Sequence, residues 1–247
     1  MARADTGSEY RNGILTFFDR DNYETVEVLA PCKLFEDFTN PYGVVTSVTG
    51  ELNFTAVDSG TWVITPASGG VARITTSATG TDNDDAELTS ELTWYPGKYC
   101  AMEARIKVNG VTTGVNVGFS DATGEAADKI ALTYSGTTLT SNASNCALFF
   151  SDYDSTSNEI RCAAVNDDTD GTVTDSGTAF AINTWHIYRV EINPDGDCDF
   201  WLDGVHIYQE SAGINTSGAL CAYIGLIDRS AESESLDIDY LRVWQKR

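Results

Sequence analysis

Ile187-Tyr-Arg-Val-Glu-Ile-Asn-Pro-Asp-Gly-Asp-Cys-Asp-Phe-Trp-Leu-Asp-Gly-Val-His-Ile-Tyr208 decides the fold of this chain. Residues 187–193 read as a strand, Asp195-Gly196 as a turn, 197–202 as a second strand, Asp203-Gly204 as another turn and 205–208 as a third strand. An Asp-Gly pair between apolar runs is a strong hairpin signal, because a tight hairpin turn demands positive φ and Gly supplies it without a steric cost. Further on, Leu236-Asp-Ile-Asp-Tyr-Leu-Arg-Val-Trp244 alternates and is rich in β-formers, so it reads as a closing strand. Such late strands need partners laid down far upstream.

Those partners are visible. Short β-rich segments separated by Gly, Asp, Asn and Ser clusters run at 50–57, 61–65, 71–75, 86–93, 98–108, 115–119, 130–134, 139–140, 147–151, 160–165 and 171–175. No segment keeps a helical period over ten residues, so the pattern predicts an all-β sandwich or barrel. In Met102-Glu-Ala-Arg-Ile-Lys-Val108, period two puts Met102, Ala104, Ile106 and Val108 on one face, and Glu103, Arg105 and Lys107 on the other. The charged face is expected to be solvated or to line a cleft. Upstream, residues 1–12 read as a flexible polar arm, and 14–18 with 23–29 as a small hairpin, marginal alone. Pro31 marks a boundary, giving an N-terminal arm over 1–30 and a single β-sandwich over 31–247.

The 247 residues carry 15 basic against 37 acidic side chains, a net charge of −22. That field repels a phosphate backbone, so nucleic acid is excluded as a partner. No apolar run approaches the ~20 residues of a membrane span, and the first residues lack an apolar signal-peptide core, so a cytoplasmic site of synthesis is expected and no membrane partner. The six cysteines, Cys32, Cys100, Cys146, Cys162, Cys198 and Cys221, form no C-x-x-C pair. Reduced and mostly buried thiols are the expectation.

Three stretches resemble a known family. Tyr95-Pro-Gly-Lys-Tyr-Cys-Ala-Met-Glu-Ala-Arg-Ile-Lys107, Phe200-Trp-Leu-Asp-Gly-Val205 and Asp237-Ile-Asp-Tyr-Leu-Arg-Val-Trp244 are similar to the strand motifs of laminarinase-type glycoside hydrolases, within the concanavalin A-like lectin/glucanase jelly rolls. The resemblance spans residues 33–247 and implies a concanavalin A-like β-sandwich, here with an N-terminal β-hairpin arm. The hydrolases also carry an E-x-D-x-x-E strand. Retaining hydrolysis needs two carboxyls roughly 5–5.5 Å apart, but the downstream strand here is Val115-Asn-Val-Gly-Phe119, followed by Ser-Asp-Ala-Thr-Gly-Glu125. Glu87 and Glu91 share a face but precede the Glu-Ala-Arg-Ile-Lys strand, and are read as solvent-facing. No catalytic residue is assigned and no enzyme is expected. In style, the acidic composition, the arm and the Asp239–Arg247 ending also resemble jelly-roll proteins of tailed-phage particles.

From these observations the leading expectation is a non-enzymatic capsid decoration protein on the outer surface of a phage head. Phe17, Phe18 and Tyr23 would dock on the major capsid protein, and copies would associate as trimers. The alternative is a glycan-binding, lectin-like module of a tail or fibre, and a third reading is a laminarinase-like hydrolase or lyase. No cofactor is required. The resemblance implies Asp239 as a candidate for a structural calcium, and Asn166-Asp-Asp-Thr-Asp-Gly171 resembles the start of a calcium loop that lacks its final glutamate. Asp82, Asp84, Asp85 and Glu87 read as a solvated acidic turn. His186 and His206 read as structural. Of Trp62, Trp94, Trp185, Trp201 and Trp244, most are expected in the core, with one or two available to stack on sugars.

Overall fold

A computed structural model describes residues 6–11, 14–19, 25–27, 32–38, 52–56, 60–65, 70–77, 82–126 and 128–246. The strands run in chain order as β1 (Thr6–Arg11), β2 (Ile14–Asp19), β3 (Thr25–Glu27), β4 (Cys32–Glu36), β5 (Leu52–Ala56), β6 (Thr61–Thr65), β7 (Val71–Thr75), β8 (Asp85–Ser90), β9 (Cys100–Val108), β10 (Thr113–Ser120), β11 (Leu132–Ser135) and β12 (Thr138–Ser141). They continue as β13 (Cys146–Asp152), β14 (Glu159–Asn166), β15 (Thr169–Asp170), β16 (Thr174–Ala179), β17 (Trp185–Ile192), β18 (Cys198–Leu202), β19 (Val205–Glu210), β20 (Cys221–Asp228) and β21 (Ser235–Gln245).

The first sheet has the order β15-β14-β13-β10-β20-β8-β5, with β16 also on β14. The second has the order β19-β18-β17-β9-β21-β7-β6, with β4 also on β21. All named strand pairs are antiparallel, and the two sheets form a jelly-roll β-sandwich. The hairpin signals hold: β17-β18-β19 is a meander, and its second turn has both Asp203 and Gly204 at positive φ, 50° and 79°. The closing strand β21 lies between β9 and β7, as a late strand with upstream partners must.

Period two sorts side chains onto the two faces of each sheet. Met102, Ala104, Ile106 and Val108 turn inward, all nearly inaccessible. They meet Val115, Val117, Phe119, Ile224 and Leu226 of the first sheet. Phe149 of β13 joins the layers by edge-on ring contacts to Tyr188 at 5.4 Å and Phe200 at 5.5 Å. Buried rings in this geometry add about 0.5–1.5 kcal/mol per pair beyond their area.

Two expectations change near the N-terminus. Residues 6–11 form a strand paired with β2, so the small hairpin is a three-stranded meander in the order β1-β2-β3. Cys32–Glu36 is a strand as well, in register with Leu241–Gln245. Its single apolar alternation is too short to announce itself without the partner strand.

Cys100, Cys146, Cys162, Cys198 and Cys221 are all free and buried. Burial pushes the Cys100 and Cys162 thiols up to about 12, and reactivity follows the thiolate. An aromatic disulfide reagent should therefore leave these five unmodified in the native protein and label them on unfolding. Native labelling of any of the five, mapped by peptide mass, would contradict the packing.

Candidate functional site: two sheet faces

The outward faces of the two sheets have opposite characters. The first is roofed by its own chain. Residues 121–126 and 128–145 lie between β10 and β13 and cross the face, carrying the β11–β12 hairpin. One half of this strap is held by apolar contact: Ala131, Leu132, Tyr134 and Ala143 bury against Cys146, Leu148, Phe150, Ala163, Val165 and Tyr223. The other half is held by sheet side chains that accept or donate to strap backbone. Glu87 accepts the Glu125 N–H at 3.0 Å, Asp85 accepts that of Lys129 at 3.0 Å, and the Thr89 hydroxyl donates to the Thr123 carbonyl at 3.1 Å. Asn116 exchanges two bonds with Leu132 at 2.7 and 3.0 Å, and Asp152 accepts the Tyr134 N–H at 2.9 Å. Backbone donors that would be orphaned over a sheet thus find acceptors.

The carboxylates beneath the strap correct the sequence reading. Glu87 is 1% exposed and Asp85 2%, not solvent-facing, and Asp84 is fully buried. The turn reading failed because the covering segment lies over 30 residues away in sequence. Burial, with further push from neighbouring acids, raises Glu87 to about 7 and Asp85 to about 6, against partial relief from hydrogen bonds. Tyr223 donates a short hydrogen bond to Glu87. Glu87 and Asp85 thus accept from strap backbone, and Glu87 from Tyr223 as well. On β13, Cys146, Leu148 and Phe150 face the strap with apolar side chains, and Asp152 with a carboxylate held by the Tyr134 N–H.

The second sheet's outer face is different. The ion pairs and ring contacts described on it run within or between strands of that one sheet. Arg73 and Lys107 share Asp237 at 2.6 and 3.0 Å. Arg105 holds Asp239 at 2.7 Å, and Glu103 takes both Arg242 at 2.7 Å and the Tyr240 hydroxyl at 2.8 Å. Arg189 pairs with Glu191. Arg105 and Lys107 lie over the Trp185 ring, at 4.7 and 5.1 Å from its centroid, and Arg189 and Arg242 over that of Trp244, at 5.4 and 5.5 Å. At one edge Trp201 meets His206 at 4.7 Å, and Asp199 accepts from His206 and Gln209. The arginines remain between 36% and 43% exposed.

The tryptophans therefore divide differently from expectation. Trp62 and Trp94 are core, but Trp185, Trp201 and Trp244 are partly exposed on this face. The signal was present for Trp185 and Trp201: each sits at an outward position of an alternating strand, as Glu103, Arg105 and Lys107 do. Asp239, the calcium candidate, lies at a bulge in β21 between Ile238 and Tyr240 and is engaged by Arg105. Asn166, Asp167, Thr169, Asp170 and Gly171 line an open cleft of about 410 Å³ together with Glu210 and Gly213. There the Asp167 carboxylate already accepts both bonds of the Asn215 amide nitrogen, at 2.9 and 3.0 Å. Among the described residues no group of three His, Cys, Asp or Glu is placed to hold a metal ion. The histidines each bind a carboxylate, His186 to Asp203 at 2.7 Å and His206 to Asp199 at 2.8 Å. Phe17 and Phe18 fall within β2, but their side chains, and Tyr23 altogether, lie outside the described residues. Among the described residues no helix is long and apolar enough to cross a membrane.

A sandwich with this topology has a concanavalin A-like jelly-roll fold, and solved structures share that fold. The Emp47p carbohydrate recognition domain aligns with TM-score 0.58 and 14% identity, over 87% of this chain and 95% of that one. A β-glucanase of Bacillus licheniformis aligns at 0.54 and 15%, over 87% and 98%. The endo-β-1,4-glucuronan lyase of Trichoderma reesei aligns at 0.53 and 11%, over 86% and 95%. At such identities the likeness is one of fold. No family model matches the chain, and no curated protein matches it in sequence.

Proposed function

We propose that this protein is a non-catalytic glycan-binding module of lectin type, which binds through the open face of its second sheet. The observation that carries the reading is the placement of Trp185, Trp201 and Trp244 there, partly exposed and set among side chains that donate and accept hydrogen bonds. An aromatic ring offers a flat apolar platform with a polar edge, and the flanking Arg, Glu, Asp and Gln side chains offer partners for hydroxyl groups. The fold is shared with carbohydrate recognition domains, which supports the reading. The buried state of Glu87 and Asp85 under the strap supports the absence of catalysis, since neither is open to a substrate. The particle-coat reading has no structural observation behind it, because the side chains assigned to docking lie outside the described residues.

A glycan array probed with the full chain tests this. Saturable binding is expected, weakened about 10- to 100-fold by Trp201→Ala or Trp244→Ala, the range of a central aromatic contact. An array without any saturable signal, from protein with a cooperative thermal melt, would refute the assignment.

A further inference from the structure

The register of the second sheet lines up one row across five strands. Trp201 of β18 stands opposite His206 of β19 on one side and Arg189 of β17 on the other. Arg189 stands opposite Glu103 of β9, and Glu103 opposite Arg242 of β21. At about 4.8 Å per strand the row from His206 to Arg242 is roughly 19 Å long. It runs perpendicular to the strands and ends beside Trp244.

Among the described side chains of this face the charges balance. The five cations there, Arg73, Arg105, Lys107, Arg189 and Arg242, are a third of the chain's 15. They are matched by five carboxylates, Glu103, Glu191, Asp199, Asp237 and Asp239. The body beneath carries −22. A polyanion approaching this face therefore meets a repulsive protein and no net local attraction. Along the row the groups alternate instead: Arg189 only donates, Glu103 only accepts, Arg242 only donates. Arg189 and Arg242 each give one terminal nitrogen to a carboxylate, and a guanidinium has five N–H groups. The ligand groups that satisfy both ends of such an alternation are hydroxyls, which donate and accept at once.

Resting on the glycan reading above, we infer that the ligand is a neutral, extended glycan chain lying across the strands along His206–Trp201–Arg189–Glu103–Arg242. Its hydroxyls donate to Glu103 and accept from the two arginines, and its sugar faces lie on Trp201 and towards Trp244. Because the row is long, several sugar units contribute. Because the ligand is neutral, screening by salt leaves its affinity unchanged.

The test is titration calorimetry of the full chain against neutral linear oligosaccharides of glucose, mannose, galactose and xylose, dimer to hexamer, with oligouronates of the same lengths. The expected result is binding to one neutral series, tighter with each added unit and equal at low and high salt. Arg189→Ala and Arg242→Ala should each lose tenfold or more, and Arg189→Lys should not restore it, since a lysine lacks the planar fork. If Arg189→Ala melts differently from the parent, Arg189→Gln takes its place. Preference for oligouronates with salt-sensitive affinity, a dimer bound as tightly as a hexamer, or face variants that bind as the parent does would each overturn the inference and leave glycan binding standing. Binding of no oligosaccharide of either charge would overturn both.

Discussion

Glu87→Gln will stabilise this protein by about 3 kcal/mol above about pH 8 and leave it unchanged near pH 4. Glu87 rises to about 7 from the ordinary glutamate value of 4.5, chiefly because the strap removes it from water. Below the unfolded value the group is protonated in both states and costs nothing. As pH climbs through the window from 4.5 to about 7, the unfolded chain releases its proton first, so it binds fewer protons than the native state and stability falls. Above about 7 the loss is complete. Glutamine keeps the shape and an oxygen able to accept from Tyr223 and from the Glu125 N–H, the present partners of the carboxylate. It never ionises, so the slope between about pH 6 and 7 should vanish. Asp85 and Asp228, each raised to about 6 chiefly by burial, should keep a smaller decline at lower pH. Urea unfolding of the parent and the variant across this range measures the effect. A variant less stable than the parent at pH 8 would mean that the charged form's hydrogen bonds outweigh its desolvation.

The second large effect is the loss of a buried ion pair. Arg229 holds Asp152 through two parallel bonds, at 2.9 and 2.6 Å, and reaches the Asn83 side chain. Both charged side chains are almost inaccessible, at 8% and 2% exposure. Asp152 also accepts the Tyr134 N–H, so the pair anchors the β11–β12 hairpin. Arg229→Ala strands a buried carboxylate, which costs about 3–5 kcal/mol, and should lower the melting temperature by roughly 10 °C in a chain of this size. Adding Asp152→Ala should recover part of the loss, because no charge is then left unpaired. A cost below about 1 kcal/mol for Arg229→Ala alone would show that Asp152 is satisfied without the arginine.

For the site, the sequence held more than was first read from it. The outward positions of β9, β17 and β18 were assignable from period two alone, so Arg105, Arg189 and Trp201 were already sorted to solvent-side faces, whereas in β21 the bulge between Ile238 and Tyr240 switches the alternation ahead of Trp244. What alternation withholds is the neighbour. That Trp201, Arg189, Glu103 and Arg242 form one row follows from the register of four strands whose residues lie up to about 140 positions apart. Glu87 shows the opposite failure: a carboxylate in an acidic, turn-like context reads as solvated until the strap is laid over it.

By itself the sequence determined the class of fold, the meander over residues 185–210, the closing strand and the inward set of the Met102–Val108 strand, because turn chemistry and period two are local properties of the chain. Tertiary structure alone decided which sheet face is roofed and which is open, which acids are buried and which charges cancel. Those depend on contacts across the sheet and between layers, and desolvation and Coulomb energies are set by distance in space rather than by distance along the chain.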